Sequence, residues 1–293
     1  MSLQVEVQIL AALVAATCAL PGVFLVLRRM AMISDAISHT ILFGIVVGFL
    51  IVRDLTSPWL LVGATLTGVL TVWLVELLTR SQRVKEDTAI GLVFPLLFSL
   101  AVIMLSGLAG GNLHLDEHVV LLGELVFAPF DRLTLFGLDL PRAMWINGGI
   151  LLLNLLFIGM FYKELKLSTF DPQLAAALGF SPVLLHYALM TLVSLTAVGA
   201  FDAVGVILVI ALMIGPPAAA YLLTDRLSLM LLLSVVIGII SAIAGYWLAR
   251  LLNTTVAGAM ATMVGIVFTL VFVGAPRYGV IARMRRRVDL QAP

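Results

Sequence analysis

Apolar residues in this chain come in long, unbroken runs. Nine stand out, over roughly 5–27, 37–52, 58–79, 88–108, 145–162, 183–200, 203–223, 227–249 and 256–275. Most approach or reach the roughly 20 residues a helix needs to cross a bilayer. A strand of a membrane barrel would alternate apolar and polar positions instead. Backbone in lipid must satisfy its own hydrogen bonds, so runs of this kind predict spanning helices. Between them lie short polar connections such as "LRRM" (27–30) and "TRSQRVKED" (79–87). Residues 112–142 fit neither pattern. "HVVLLGELVF" is apolar but too short to span, and Pro129, Asp131 and Arg132 follow it. It is expected to be a half-inserted or outer-mouth segment.

Composition agrees with the pattern. The chain has 293 residues, 62% of them hydrophobic and 11% charged. A soluble domain carries about 25% charged residues. The expected fold class is therefore all-α: a polytopic integral membrane helical bundle of about eight to nine transmembrane helices. No linker or charge shift divides it, so residues 1–293 are expected to form one domain. With nine spans and the N-terminus outside, only Arg53, Arg132, Arg142 and Arg250 of the 17 basic residues fall on the outer side. That is the excess of Lys and Arg expected of cytoplasmic loops. One re-entrant span would reduce the number to eight and move the N-terminus inside. The N-terminus lacks the charged region of a cleavable signal, so the first run is expected to be a retained helix. The single cysteine, Cys18, excludes an internal disulfide and a cysteine-based metal cluster.

Candidate chemistry begins in "MISDAISHTILFGIVVGFL" (32–50). Asp35 and His39 stand four apart, on one helix face and about 6 Å apart along the axis. Ionisable groups at membrane depth are costly and usually face a bundle interior or a water-filled path. A carboxylate and an imidazole suit manganese, iron(II) or zinc, and suit copper(I) poorly. Equally open to the spacing is an Asp35 that caps the helix beside a hydrogen-bonded interior His39. His114 and His118 in "GGNLHLDEHVV" repeat the spacing, with Asp116 and Glu117 between them; a solvated polar loop and a metal-collecting mouth both fit. Glu124 is a weaker candidate, and Asp202 is expected in a turn. Pro216 and Pro217 in "GPPAAA" (215–220) predict either a packing kink or a broken helix lining a pathway.

In "KELKLSTFDPQLAAALGF" (163–180), Ser168-Thr169 and Asp171-Pro172 are expected to open a short helix of about two turns, and Gly179 and Pro182 to close it. Phe170, Leu174 and Leu178 would then stand on a surface helix or a partner-docking helix. None of the three lysines, Lys85, Lys163 and Lys166, follows a glycine, so no phosphate-binding G-x-x-x-x-G-K-[ST] loop exists. ATP hydrolysis, if any, belongs to another chain. No G-x-S-x-G or H-E-x-x-H motif occurs either, so the chain is not expected to be an enzyme.

The chain resembles the membrane permease subunits of ABC importers for manganese, zinc and iron. The residues that carry the resemblance run in order through "VLRRMAMISDAISHTILFGIVVGF", "RVKEDTAIGLVF", "HLDEHVVLLGEL", "KELKLSTFDPQLAAALGF", "DAVGVILVIALMIGPPAAAYLLTDRLS" and "GAPRYGV". The resemblance implies a type II ABC importer-like fold in the cell membrane of a prokaryote. It implies cytoplasmic ATPase subunits, a second permease copy or a related permease, and an extracytoplasmic metal-binding protein, with no nucleic acid. The transported divalent ion (Mn, Zn or Fe) would be cargo rather than a permanent cofactor. The family's D-x-x-x-H pair falls on Asp35 and His39, while His114 and His118 map to no family site. The family's docking loop falls on Thr169, Phe170, Asp171, Pro172, Leu174, Ala175, Leu178 and Gly179. Ser34 and Phe43 stand where many members carry glycine and proline, which implies a straighter second helix here. An ion-coupled secondary transporter is the alternative, and an intramembrane metalloenzyme is a third. The former would show more intramembrane acids or an inverted repeat, the latter a third ligand and a general base.

Overall fold

The computed structural model describes residues 3–53, 57, 59–108, 125, 128–135, 137–276 and 279. Among these, nine helices are long and apolar enough to cross a membrane. They are α1 (Leu3–Leu27), α2 (Ala31–Val52), α3 (Trp59–Thr79), α4 (Glu86–Leu108), α5 (Arg142–Met160), α8 (Pro182–Val204), α9 (Val206–Leu223), α10 (Leu227–Leu252) and α11 (Val256–Gly274). Two short helices, α6 (Tyr162–Phe170) and α7 (Pro172–Ala177), join α5 to α8. A two-stranded antiparallel hairpin, β1 (Arg132–Leu135) and β2 (Leu138–Pro141), precedes α5.

α1 is the most buried of the spans and packs against α5, α8, α9 and α10. α2 lies against α3 and α4, and α11 covers α9 and α10. Lipid gives no hydrophobic drive for one helix to leave it for another, so close packing and polar bridges do that work. Asn154 on α5 donates to the Thr17 carbonyl of α1 at 3.0 Å and to Thr196 Oγ1 of α8 at 3.1 Å. Asn147 on α5 donates to the Gly199 carbonyl of α8 at 3.1 Å, and Ser194 on α8 to the Thr65 carbonyl of α3 at 2.9 Å.

α9 is continuous through Pro216 and Pro217, so it is not a broken helix. Proline has no N–H, so Pro217 leaves the carbonyl four residues back, on Met213, without its helical donor. That carbonyl faces Gly22 of α1. A Cβ built at Gly22 would collide with the Met213 oxygen and come within 3.1 Å of Pro217 Cγ. Only a residue without a Cβ leaves room for that carbonyl.

The connections are tight. Arg28, Arg29 and Met30 alone join α1 to α2, with Arg29 at φ 61°. Gly205 alone joins α8 to α9, at φ 79° and ψ 166°, a conformation essentially reserved for glycine. The hairpin is tied to α1 by Arg132, which donates to the buried Glu6 carboxylate at 3.2 Å and to Asp139 Oδ2 at 2.8 Å. These bonds, that to Asp139 first, hold the exposed Arg132 guanidinium above its usual proton affinity. The hairpin was not apparent in the apolar pattern of 112–142.

Candidate functional site

α2 begins at Ala31, six residues before the apolar run suggested, and its N-cap position is Met30. Asp35 is therefore inside the helix and does not cap it. The polar residues here are compatible with helix because the serines bond their own backbone: Ser34 Oγ donates to the Ala31 carbonyl at 2.8 Å, and Ser38 Oγ to that of Ser34 at 2.9 Å. Asp35 Oδ1 lies 3.5 Å from His39 Nε2, so the two share a face as their spacing requires. The Phe94 ring of α4 stands over the imidazole, with centroids 5.4 Å apart. α2 runs on unbroken through Phe43. The two side chains remain about a third exposed, His39 31% and Asp35 35%. A partly exposed carboxylate and imidazole within a helix able to span a membrane call for a covering partner or a water path. Among the described residues no group of three or more His, Cys, Asp or Glu side chains gathers as a metal site. The pair by itself presents two donor atoms, one carboxylate oxygen and one imidazole nitrogen. His114 and His118 lie outside the described residues, as do Asp116, Glu117 and Glu124.

Residues 168–179 depart from the single helix expected of them. Ser168, Thr169 and Phe170 close α6. Asp171 then breaks the helix at φ −146°, and its side chain caps the next by accepting from Leu174 N–H at 2.9 Å. Pro172 takes the first position of α7, where its missing N–H costs nothing. The helix that follows has six residues, and Gly179, at φ 86°, turns the chain away. Ala175 is buried against the bundle, while Phe170, Leu174 and Leu178 stand exposed at 60%, 46% and 61%. Phe180, Val183 and Leu184 extend this apolar surface. Asp202 is not in a turn: it stands exposed in the last helical turn of α8 and lines a crevice of about 560 Å³ with Arg142 and Trp145.

One cluster was not apparent in the sequence. At the end of the bundle that carries α6 and α7, Arg28 Nε donates to Thr169 Oγ1 at 3.2 Å, and Nη2 to Ser168 Oγ at 3.1 Å. Its Nη1 reaches His186 Nδ1 at 3.2 Å. A guanidinium can only donate, so Nδ1 accepts and the ring proton stands on Nε2. His186 Nε2 lies 2.7 Å from Glu76 Oε1, a contact not aligned as a hydrogen bond, and Tyr187 donates to Glu76 Oε2 at 2.5 Å. Burial lowers the proton affinity of Arg28 from its usual value. The bonding partners of Arg28 are 140 to 158 residues away along the chain, and no local spacing announces them.

Comparison with known proteins follows the same lines. The family model for the ABC 3 transport family matches residues 2–275. A manganese transport system membrane protein, MntD of Bacillus subtilis, is 49% identical over 280 residues, covering 95% of this chain and 94% of that protein. A zinc transport system membrane protein, TroD of Treponema pallidum, is 51% identical over 278 residues, covering 95% and 76%. Among solved structures, a chain of PsaBC from Streptococcus pneumoniae in complex with Fab aligns with a TM-score of 0.79 at 27% identity, over 100% of this chain and 96% of that one. A match of this extent, on a bundle of nine spanning helices, places the chain: it belongs to the ABC 3 transport family.

Proposed function

We propose that this chain is the permease subunit of an ATP-driven importer that carries a divalent transition metal, manganese, zinc or iron, into the cytoplasm of a prokaryotic cell. The observation that carries the proposal is the Asp35–His39 pair: two metal-type donors on one face of a spanning helix, 3.5 Å apart. Relatives named for manganese and zinc transport support it. The half-open setting of the pair fits a path completed by a second permease, identical or related. The basic end of the bundle, with Arg28, Arg80, Lys163, Lys166 and Arg226, is then cytoplasmic. The exposed Phe170, Leu174 and Leu178 there supply the docking surface for a separate ATPase. The metal arrives from an extracytoplasmic binding protein.

The chain itself performs no covalent chemistry. It binds, orients and releases an ion, and ATP hydrolysis elsewhere changes the access to the pair. Asp35→Ala and His39→Ala are each expected to cut uptake of radiolabelled metal severely in cells while the complex still assembles. Uptake at the wild-type rate in both variants would remove the pair from the path.

A further inference from the structure

The docking element packs on the foot of α8, whereas the proposed metal donors lie on α2. The Arg28 side chain reaches from the α1–α2 connection to both α6 and α8. Resting on the permease reading above, we propose that Arg28, held by Ser168, Thr169 and His186, is the coupling junction of the transporter: it conveys movement of the ATPase-docking element to the first turns of α2.

Four observations carry this. The guanidinium fork meets three side chains on two elements, the hydroxyls closing α6 and the imidazole of α8. Its fixed planar geometry lets no one of them shift alone, which a flexible ammonium would allow. Through His186 the contact extends to Glu76 on α3, and through Glu76 back to Tyr187 on α8. Second, Arg28 opens the connection to α2. Met30 N–H bonds the Leu25 carbonyl at 2.9 Å, and Ile33 N–H bonds the Met30 carbonyl at 3.1 Å, so the turn is pinned on both sides. Asp35 then follows four residues after the first of α2, about 6 Å along the axis.

Third, the junction borders a crevice of about 380 Å³, lined also by Pro172, Pro182 and Thr79. That space lies between the docking element and the foot of α3. Finally, Ser168 and Thr169 immediately precede Phe170, the first apolar residue of the docking surface. A force applied at Phe170 is delivered within two residues to the groups Arg28 holds. Arg28 and its partners are positioning residues; none is assigned to the metal.

The test uses the whole transporter in vesicles, with the chain, its partner permease, the ATPase, the delivery protein and manganese as the cargo. It reads metal accumulated per ATP hydrolysed. Arg28→Ala is expected to lower that ratio about fivefold or more, with ATPase association and hydrolysis retained. Arg28→Lys, which keeps the charge but not the fork, is expected to fall between. Arg28→Ala combined with Glu76→Gln is expected to lose little more than Arg28→Ala alone, because residues of one network do not add. Ser168→Thr, which keeps the hydroxyl, is expected to hold the ratio that Ser168→Ala lowers. An unchanged ratio in Arg28→Ala overturns the proposal. So does a parallel fall of uptake and hydrolysis, which marks the cluster as scaffolding, and so does full additivity. If Arg28→Ala fails to assemble, the two Ser168 variants decide, and equal ratios between them overturn it. Failure of the wild-type chain to bind any ATPase would instead overturn the permease reading, before a variant is compared.

Discussion

Phe170→Ala should weaken the grip of the ATPase by an amount that can be worked from the exposed ring. Phe170 is 60% exposed, at the break between α6 and α7. A phenylalanine buries roughly 200 Å² when fully covered, so about 120 Å² of apolar surface awaits a partner. At about 25 cal/mol per Å² this is worth roughly 3 kcal/mol. Ordering the ring at an interface returns about 1 kcal/mol. The remaining 2 kcal/mol or so corresponds to a Kd about 30-fold weaker. The assay is titration of fluorescent ATPase onto the complex in bilayer nanodiscs. Phe130, 68% exposed beside the hairpin at the other end of the bundle, supplies the control. Phe130→Ala should leave the Kd where it is. An unchanged Kd in Phe170→Ala refutes the docking surface, and equal losses in both variants refute its location.

In liposomes, the chain alone should accumulate no metal from a proton gradient, a sodium gradient or ATP, and adding the ATPase, the delivery protein and ATP should restore uptake, read with a metal-sensitive dye; gradient-driven accumulation by the chain alone would mark it as a secondary transporter. Gly22→Ala places a methyl against the Met213 carbonyl and should cost about 1–3 kcal/mol by overpacking; an unshifted thermal midpoint in detergent would show that α1 and α9 can part freely. Asn154→Leu removes the bridges to Thr17 and Thr196 and should cost less, about 0.6 kcal/mol per bond, since polar contacts in membranes are worth little net. A larger loss than that of Gly22→Ala would reverse the ranking of packing over hydrogen bonding in this bundle.

The spans were legible because lipid demands continuous apolar sequence, and eight of the nine begin within a few residues of the apolar runs. α2 is the exception. Ser34, Asp35, Ser38 and His39 lower the hydropathy of its first turns, yet Ser34 and Ser38 bond their own backbone and the helix persists. The Asp35–His39 face was readable because a spacing of four is a property of the helix itself. Residues 168–179 resemble one helix in the sequence because Ser168-Thr169 and Asp171 both look like caps. Only Asp171 acts as one, because α6 runs through the first pair. The twin prolines were ambiguous for a different reason. Whether they break a helix depends on what receives the carbonyls they release, and Gly22 lies nearly two hundred residues upstream. The Arg28 cluster was invisible for the same cause: its members meet only after α1, α3, α6 and α8 have packed.

Gly205 has a mechanical consequence for the two helices it joins. Two rods sharing one end cannot slide past each other; they can only change the angle between them. α8 has 23 residues, so its far end lies about 35 Å from that pin. A scissoring of about 5° leaves the pinned ends together and moves the free ends about 3 Å apart, by the length of the lever alone. The free end of α8 is where His186 meets Arg28. Between α8 and α9, the end of the bundle that carries His186 can therefore gape while the Gly205 end stays shut. An opening at the Gly205 end must be made by helices that are not riveted together there.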